Sequence, residues 1–378
     1  MNRRWMRIMA AALLAFGAAF IALAGKALPI NAVYAAQASS MALIEAETGE
    51  VLASENAGAR LPMASTTKIM TALITLENCG PDELVEIPYE AVGVEGSSIG
   101  LGCGETMTVR DLVYGLMLAS GNDAAIALAV HVAGSVHAFV DMMNARAEEM
   151  GLEKTHFITP NGLHAQGHLT TAYELCLLTA EAIKNEAFRT VVSTKYYEAE
   201  SGIIPRTFKN KNSLLWDYDG AFGVKTGYTM AAGRCLVFGA ERDGMTVIGA
   251  VLNCRPMFQA AAELMDYAFS EYSKEIVVDK SETAAHVFVE NSENCILEVC
   301  PKESIITVMH RSEERSFRTE VRLNEHISAP VKAGQTVGEL TVTLNGEIAG
   351  RTDLVAASDV KTPGLRYWMR FVSSVFAA

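Results

Sequence analysis

The sequence predicts an α+β fold: an antiparallel sheet with helices and a helical insertion, then a small all-β sandwich domain and a C-terminal amphipathic helix. Three observations predict it. Short strand-like apolar runs stand at both ends of the first 275 residues, with strongly apolar helical runs between them. One sheet must therefore be assembled from segments far apart in the chain. From residue 276 to about 360 only short alternating runs remain, separated by turn signals, the pattern of a β-sandwich. The last residues return to helical spacing, with basic residues on one side. At 378 residues, half of them apolar and 20% charged, the chain is long enough for two domains and globular in composition. A formal net charge of -13 argues against nucleic acid as a partner.

The elements follow in order. Arg3, Arg4 and Arg7 precede an apolar run from Ile8 to Ala24 with small residues after it, a signal-peptide pattern assigned to residues 1–38. Cleavage would follow Ala35 or Ala38; an uncleaved anchor is the competing reading. Either way the folded part is exported. A catalytic domain is expected over 39–275. It opens with a hairpin, Met41–Ala46 and Val51–Ala53 around Gly49. Ile69 to Leu76 is apolar almost all round and reads as a buried helix ending near Asn78-Cys79-Gly80. After a Gly-rich region, Thr108 to Asp111 is a helix start. Two apolar helices follow, Leu112–Ala119 and Asp123–Val132, broken at Ser120-Gly121-Asn122.

An amphipathic helix around Val140–Met150, a turn-rich loop over 156–168 and a helix from Thr171 to about Asn185 come next. A polar connection leads to a hairpin of Gly233–Ala240 and Thr246–Leu252, and a helix near Gln259–Tyr272 closes the unit. The all-β domain is assigned to 276–360, with Asn345-Gly346 as a hairpin turn. In the tail, 361–378, Leu365, Trp368, Met369, Val372 and Phe376 share a helical face, which suits a membrane surface.

Seven cysteines leave at least one unpaired in a monomer. Cys295 and Cys300 flank a strand-like stretch; extended, it spans roughly 16 Å, beyond the ~7 Å that a disulfide tolerates. No Cys/His cluster has zinc spacing, so neither a metal nor a cofactor is expected.

The chemistry is concentrated in three short motifs. In Ser65-Thr66-Thr67-Lys68 the hydroxyl and the amine lie one helical turn apart. Burial and a second cation would lower the Lys68 pKa until its neutral amine can take the serine proton. Ser120, in the break between two helices, can return a proton to a leaving amine, and Asn122 can hold a substrate amide. Lys225-Thr226-Gly227 sits on a strand. Lys225 would supply a fixed positive charge and, with Thr226, bind a carboxylate, while Gly227 leaves room for an extended peptide. The backbone N–H groups of Ser65 and Tyr228 would form an oxyanion hole. A second Ser-x-x-Lys, Ser358 to Lys361, is taken as chance.

Together with Asp123-Ala124-Ala125 and Gly223 to Thr229, these motifs resemble those of the low-molecular-mass penicillin-binding proteins, the serine-type D-alanyl-D-alanine carboxypeptidases of peptidase family S11. The resemblance implies a β-lactamase/transpeptidase-like catalytic domain. It also implies removal of the terminal D-Ala from the peptidoglycan stem pentapeptide, with β-lactams acylating the same serine. It makes Ser65 the nucleophile, Lys68 the proton acceptor, Ser120 the third catalytic residue and Lys225 a substrate-binding residue. The tail matches the family's membrane-surface anchor, which places the enzyme at the outer face of the cytoplasmic membrane or in the wall space. Arg255 is a candidate for the family's arginine near the substrate carboxylate; a surface arginine is the alternative. His164 and His168 are expected to stabilise their loop, and Glu174 stands where the family often has Asp.

Two other readings compete. A class A-like β-lactamase would need Glu-x-x-Leu-Asn between the second and third motifs. The only such string, Glu320 to Asn324, lies beyond them. A non-hydrolytic β-lactam or wall sensor would not need both Lys68 and Lys225.

Overall fold

The computed structural model describes residues 38–364, apart from 293–295 and 313–315, together with Met369. The expected leader (Ala38 excepted), Cys295 and the amphipathic tail (Met369 excepted) lie outside the described residues. The chain divides into two compact units, Met1–Ser270 and Glu271–Ala378.

In the first unit β1 (Ala38–Glu45) and β2 (Val51–Glu55) form the N-terminal hairpin. The Glu45 carboxylate closes its turn by accepting from the N–H groups of Glu47 and Thr48. A 3-10 turn, Ala64–Thr67, runs into α1 (Lys68–Asn78), whose first eight residues are all buried. β3 (Leu84–Glu86) and β4 (Thr106–Thr108) make a short ribbon around the Gly-rich stretch. Thr108 then caps α2 (Val109–Tyr114) by accepting from Asp111 N. A wider π-type turn, Gly115–Ala119, follows, and α3 (Asn122–Ala133) begins just after it. α4 (Val136–Glu149) and α5 (Ala172–Ala182), capped by the Thr171 side chain, complete the helical insertion.

The stretch expected to be a polar connection holds four elements: α6 (Glu186–Ser193), β5 (Tyr196–Ala199), β6 (Arg206–Lys209) and the single turn α7 (Leu214–Asp217). Only Phe188, Val191 and Val192 of α6 are buried, and every other residue of the β5–β6 ribbon faces out, so the apolar signal is thin there. β7 (Ala221–Thr229), β8 (Gly233–Arg242), β9 (Met245–Cys254) and α8 (Met257–Glu271) close the unit.

The sheet order is β2-β1-β9-β8-β7. β1 pairs antiparallel with β9, Ala42 opposite Ala250, which joins the two chain ends of the unit as the sequence pattern requires. β7 is left as an edge strand. Helices α1, α3 and α5 supply Ile69, Leu73, Ala125, Leu128, Leu175 and Leu178 to one continuous core with β1, β8 and β9. A buried ion pair braces the Gly-rich stretch against β6: Arg206 donates to both Glu105 carboxylate oxygens at 2.7 and 2.8 Å, and to the carbonyls of Ile99 and Gly100.

The second unit is all-β. β10 (Tyr272–Val278) pairs with β13 (Ile305–His310). A five-stranded sheet is built from β11 (Ala285–Phe288), β12 (Ile296–Pro301), β14 (Phe317–Leu323), β15 (Thr336–Leu344) and β16 (Glu347–Ala356). Asn345 and Gly346, both at positive φ, turn β15 into β16 with the backbone that a two-residue hairpin needs. Val287, Leu297, Val299, Leu340, Val342 and Leu354 form its core. Glu320 lies on exposed positions of β14, and Ser358 and Lys361 are exposed further on. The second Ser-x-x-Lys and the Glu-x-x-Leu-Asn string thus both belong to this unit. No single described helix is long and apolar enough to cross a membrane.

Candidate active site

The site is built on the Ala64–Thr67 turn. Thr66 Oγ1 donates to Met63 O at 2.6 Å and Thr67 Oγ1 to Ala64 O at 2.8 Å. These local hydroxyl bonds favour a tight turn over an ordinary helix start. Ala64 takes a positive φ of 48°, which lifts Ser65 to the mouth of the turn, half-buried, while Thr66 and Thr67 stay inside. Lys68, the first residue of α1, is 0% exposed.

Three partners surround Lys68 Nζ. Ser65 Oγ lies at 3.0 Å, Asn122 Oδ1 at 2.7 Å and Asn161 O at 2.5 Å. Burial holds its pKa well below the usual lysine range, and the positive charges of Lys225 and Lys211 lower it further.

The loop over 156–168 is docked on this turn. Gly162 has φ of 84°, and a Cβ there would stand 2.0 Å from Ala64 O; only glycine fits. His168 Nδ1 accepts from Ile158 N at 2.9 Å, so its proton sits on Nε2, which donates to Thr67 Oγ1 at 2.7 Å. Burial, then His156 and His164, push the His168 pKa down to about 4. The ring is a neutral strut, in keeping with the loop-stabilising role expected of it. Glu174 is likewise tied to loop backbone and hydroxyl, accepting from Lys154 N at 2.9 Å and Thr155 Oγ1 at 2.5 Å.

The second motif lies in the bend before α3. Ser120 is buried, with φ of 65°, a left-handed conformation uncommon for a residue with a side chain. The bend is pinned where Asn122 N donates to Ser97 O at 2.7 Å and Asn122 Nδ2 to Glu95 O at 2.6 Å. Both polar ends of the Asn122 amide are therefore engaged in the free protein, and the contact with Lys68 orients the lysine. Next to it, the Asp123 carboxylate accepts from the backbone N–H groups of Ile99 and Gly100 at 2.9 and 3.0 Å, fastening the Gly-rich loop over the start of α3.

The third motif lies along β7. Lys225 is 1% exposed and its Nζ donates to Thr226 O at 3.0 Å. Burial, then the Lys211 charge, lower its pKa to about 7. Its charge in the free protein is therefore poised, not fixed as the motif alone suggests. Thr226 is half-buried. Gly227 passes so close to the serine turn that a Cβ there would stand 3.1 Å from Ser65 N and 3.2 Å from Met63 O. Tyr228 is exposed and pairs with Arg234 of β8, whose guanidinium lies 5.9 Å from the ring centre.

Lys68 is thus in direct contact with both Ser65 and Asn122, Gly227 packs on Ser65, and Lys225 acts on Lys68 through its charge. Ser120 joins the group through the bend it shares with Asn122. Arg255 is exposed just past β9. Two members had no motif to announce them: the Asn161 carbonyl and Lys211, whose Nζ donates to Ser97 Oγ at 3.1 Å. Their signal lay in turn-rich strings, Thr159-Pro160-Asn161-Gly162 and Asn210-Lys211-Asn212. Lys225 and Lys211 both act on Lys68 through their charge, a setting that suits a carboxylate-bearing ligand.

Comparison with known proteins identifies the family. The family model described as D-alanyl-D-alanine carboxypeptidase matches residues 28–255, and that described as the penicillin-binding protein 5 C-terminal domain matches 272–362. D-alanyl-D-alanine carboxypeptidase DacF of Bacillus subtilis is 34% identical over 338 residues, 87% of each chain. DacA of Escherichia coli is 30% identical over 341 residues, 85% of this chain and 83% of that one. Among solved structures, penicillin-binding protein 5 from Haemophilus influenzae superposes with a TM-score of 0.73 at 25% identity, covering 86% of this chain and 98% of its own. The Streptomyces K15 DD-transpeptidase gives 0.59 at 38% identity, covering 62% and 97%.

Proposed function

The chain belongs to the D-alanyl-D-alanine carboxypeptidase family, and we propose that it releases the terminal D-Ala of peptidoglycan stem pentapeptides through an acyl-enzyme on Ser65. It is a serine hydrolase of penicillin-binding type, acting on peptidoglycan and binding β-lactams.

The contacts of Lys68 Nζ carry the assignment of roles. A neutral amine has two N–H bonds and one lone pair. Asn122 Oδ1 and Asn161 O, at 2.7 and 2.5 Å, take the two hydrogens, which leaves the lone pair for the Ser65 hydroxyl at 3.0 Å. The amine is held as a base and aimed at the nucleophile.

Ser65 Oγ then attacks the carbonyl of the penultimate residue while its proton moves to Lys68 Nζ. Backbone N–H groups of Ser65 and Tyr228 receive the developing oxyanion. Lys225, with Thr226, meets the substrate carboxylate, whose charge draws the Lys225 ammonium fully into its protonated form. Ser120 relays a proton to the leaving D-Ala amine, the ester forms as the C–N bond breaks, and water later hydrolyses it. The peptide lies along the free edge of β7 past Gly227 as an added strand. The residues 1–38 leader would export the chain, and the tail would hold it at the outer membrane surface.

The test is D-Ala release from a synthetic pentapeptide. Sustained release that vanishes in Ser65→Ala, with a fluorescent penicillin mapped to Ser65 in the wild type, is the expected result. Labelling without release would make the protein a sensor.

A further inference from the structure

Away from the site, and among the described residues, one cluster brings together three side chains of different ligand chemistry: Cys79, Glu83 and His131, whose ligand atoms all lie within 4.8 Å of one another. His131 Nε2 is 3.5 Å from Glu83 Oε2. With zinc–ligand bonds of ~2.0–2.3 Å, neighbouring donors of a tetrahedral site stand about 3.3–3.6 Å apart. The His131–Glu83 spacing already matches that edge, and the thiol needs to close by no more than about 1.2–1.5 Å.

The donors rest on fixed backbone. Cys79 is the residue that ends α1, with its N–H bonded to Thr75 O. His131 is in the last turn of α3. Glu83 is pinned twice through its main chain, by its own N–H to Gly80 O and by Val109 N to Glu83 O. Its Oε1 accepts from Gly80 N at 2.5 Å, which aims Oε2 at the imidazole. A ligating carboxylate oriented by a hydrogen bond on its other oxygen is the usual support of a metal site. Two helix C-termini meet here, so their dipoles add negative potential where a cation would sit.

We propose that Cys79, Glu83 and His131 bind one Zn2+ ion, with water in the fourth position. Sulfur, imidazole nitrogen and carboxylate oxygen form a donor set for a borderline-soft divalent ion and a poor one for Ca2+ or Mg2+. Binding replaces the thiol proton, which leaves to solvent, by a zinc–thiolate bond.

The position is informative. α1 begins with Lys68 and α3 begins with Asn122, so the ion would clasp the far ends of the two helices whose first residues make the Lys68–Asn122 bond. Eleven residues of α1 put the clasp about 16 Å along the axis from Lys68. Its role is to hold the helix pair in register, not to take part in the reaction.

The test uses the purified, reduced, metal-free full chain titrated with Co2+ as a spectroscopic probe and with Zn2+ in a thermal melt. Expected are one Co2+ per chain, visible bands of a tetrahedral site, a thiolate-to-cobalt charge-transfer band, and a rise in melting temperature with Zn2+. Cys79→Ser should remove the charge-transfer band. His131→Ala and Glu83→Gln should each weaken binding at least ~10-fold. Cys103→Ser, which alters the exposed thiol, should leave all of these unchanged. Absence of stoichiometric binding, a charge-transfer band that survives in Cys79→Ser, or undiminished affinity in His131→Ala would overturn the proposal.

Discussion

Gly227→Ala probes the join between β7 and the serine turn. A Cβ at this position would stand 3.1 Å from Ser65 N, 3.2 Å from Ala64 Cβ and 3.2 Å from Met63 O, where ordinary contacts begin at 3.4 Å. The turn must therefore retreat by a few tenths of an ångström, carrying with it the N–H proposed to receive the oxyanion. Misplacing reacting groups by ~1 Å costs about 10²-fold in rate, so this shift should cost about tenfold, or ~1.4 kcal/mol of barrier. Overpacking should cost a further ~1–3 kcal/mol of fold stability. The assay is the second-order rate of acylation by a fluorescent penicillin, read beside a thermal melt. Acylation at the wild-type rate by a variant that melts normally would refute the reasoning, because Ser65 N would then not need its present place. A variant that acylates slowly but melts within a few degrees of wild type is the expected outcome.

The remaining predictions concern charge and burial. Lys225 has a pKa of about 7 in the free protein, so kcat/KM should fall as pH rises through 7, while kcat falls at higher pH because bound carboxylate keeps the ammonium charged; pH profiles of D-Ala release check this. Lys225→Met should lose peptide turnover yet gain roughly 0.5–2 kcal/mol of stability, since a buried cation is removed; denaturant melts measure it. His168 has its pKa lowered from 6.5 to about 4. Its contribution to stability is therefore complete above pH 6.5 and is lost as pH falls through 4, up to about 3 kcal/mol. His168→Gln should flatten the stability curve over that window. Glu105→Ala leaves the Arg206 guanidinium buried without its carboxylate and should cost ~3–5 kcal/mol, seen as a lower unfolding midpoint.

Much of the first unit was legible because its signals are local. The apolar run after Lys68, the break at Ser120-Gly121-Asn122 and the β8–β9 hairpin each announce themselves within a dozen residues, and the structure has them in those places. The three motifs could be paired with chemistry because each side chain type is scarce in its setting. Legibility failed where burial is partial. The segment from α6 to α7 shows few apolar residues, since its ribbon is mostly exposed, and Lys211 was hidden with it. β16 was announced only by its turn, Asn345-Gly346, because glycine and threonine, Gly350 and Thr352, stand on its inward face. The contact of the Asn122 amide with Lys68 and the desolvation of Lys225 were not in the motif reading either. Which atom an amide faces, and how far an ammonium is desolvated, depend on loops brought in from elsewhere. The Cys79–Glu83–His131 cluster was invisible for the same reason, as His131 arrives from another helix.

Among the described residues, β7 is the last strand of the five-stranded sheet. In the proposed docking, a ligand zipped along that border would be recognised through its main chain, which every peptide possesses. The composition of the stem could then vary from one wall to another without loss of docking. Selectivity is left to the two extremities of the run: the handedness of the last residues at the serine, and the free carboxylate beyond them.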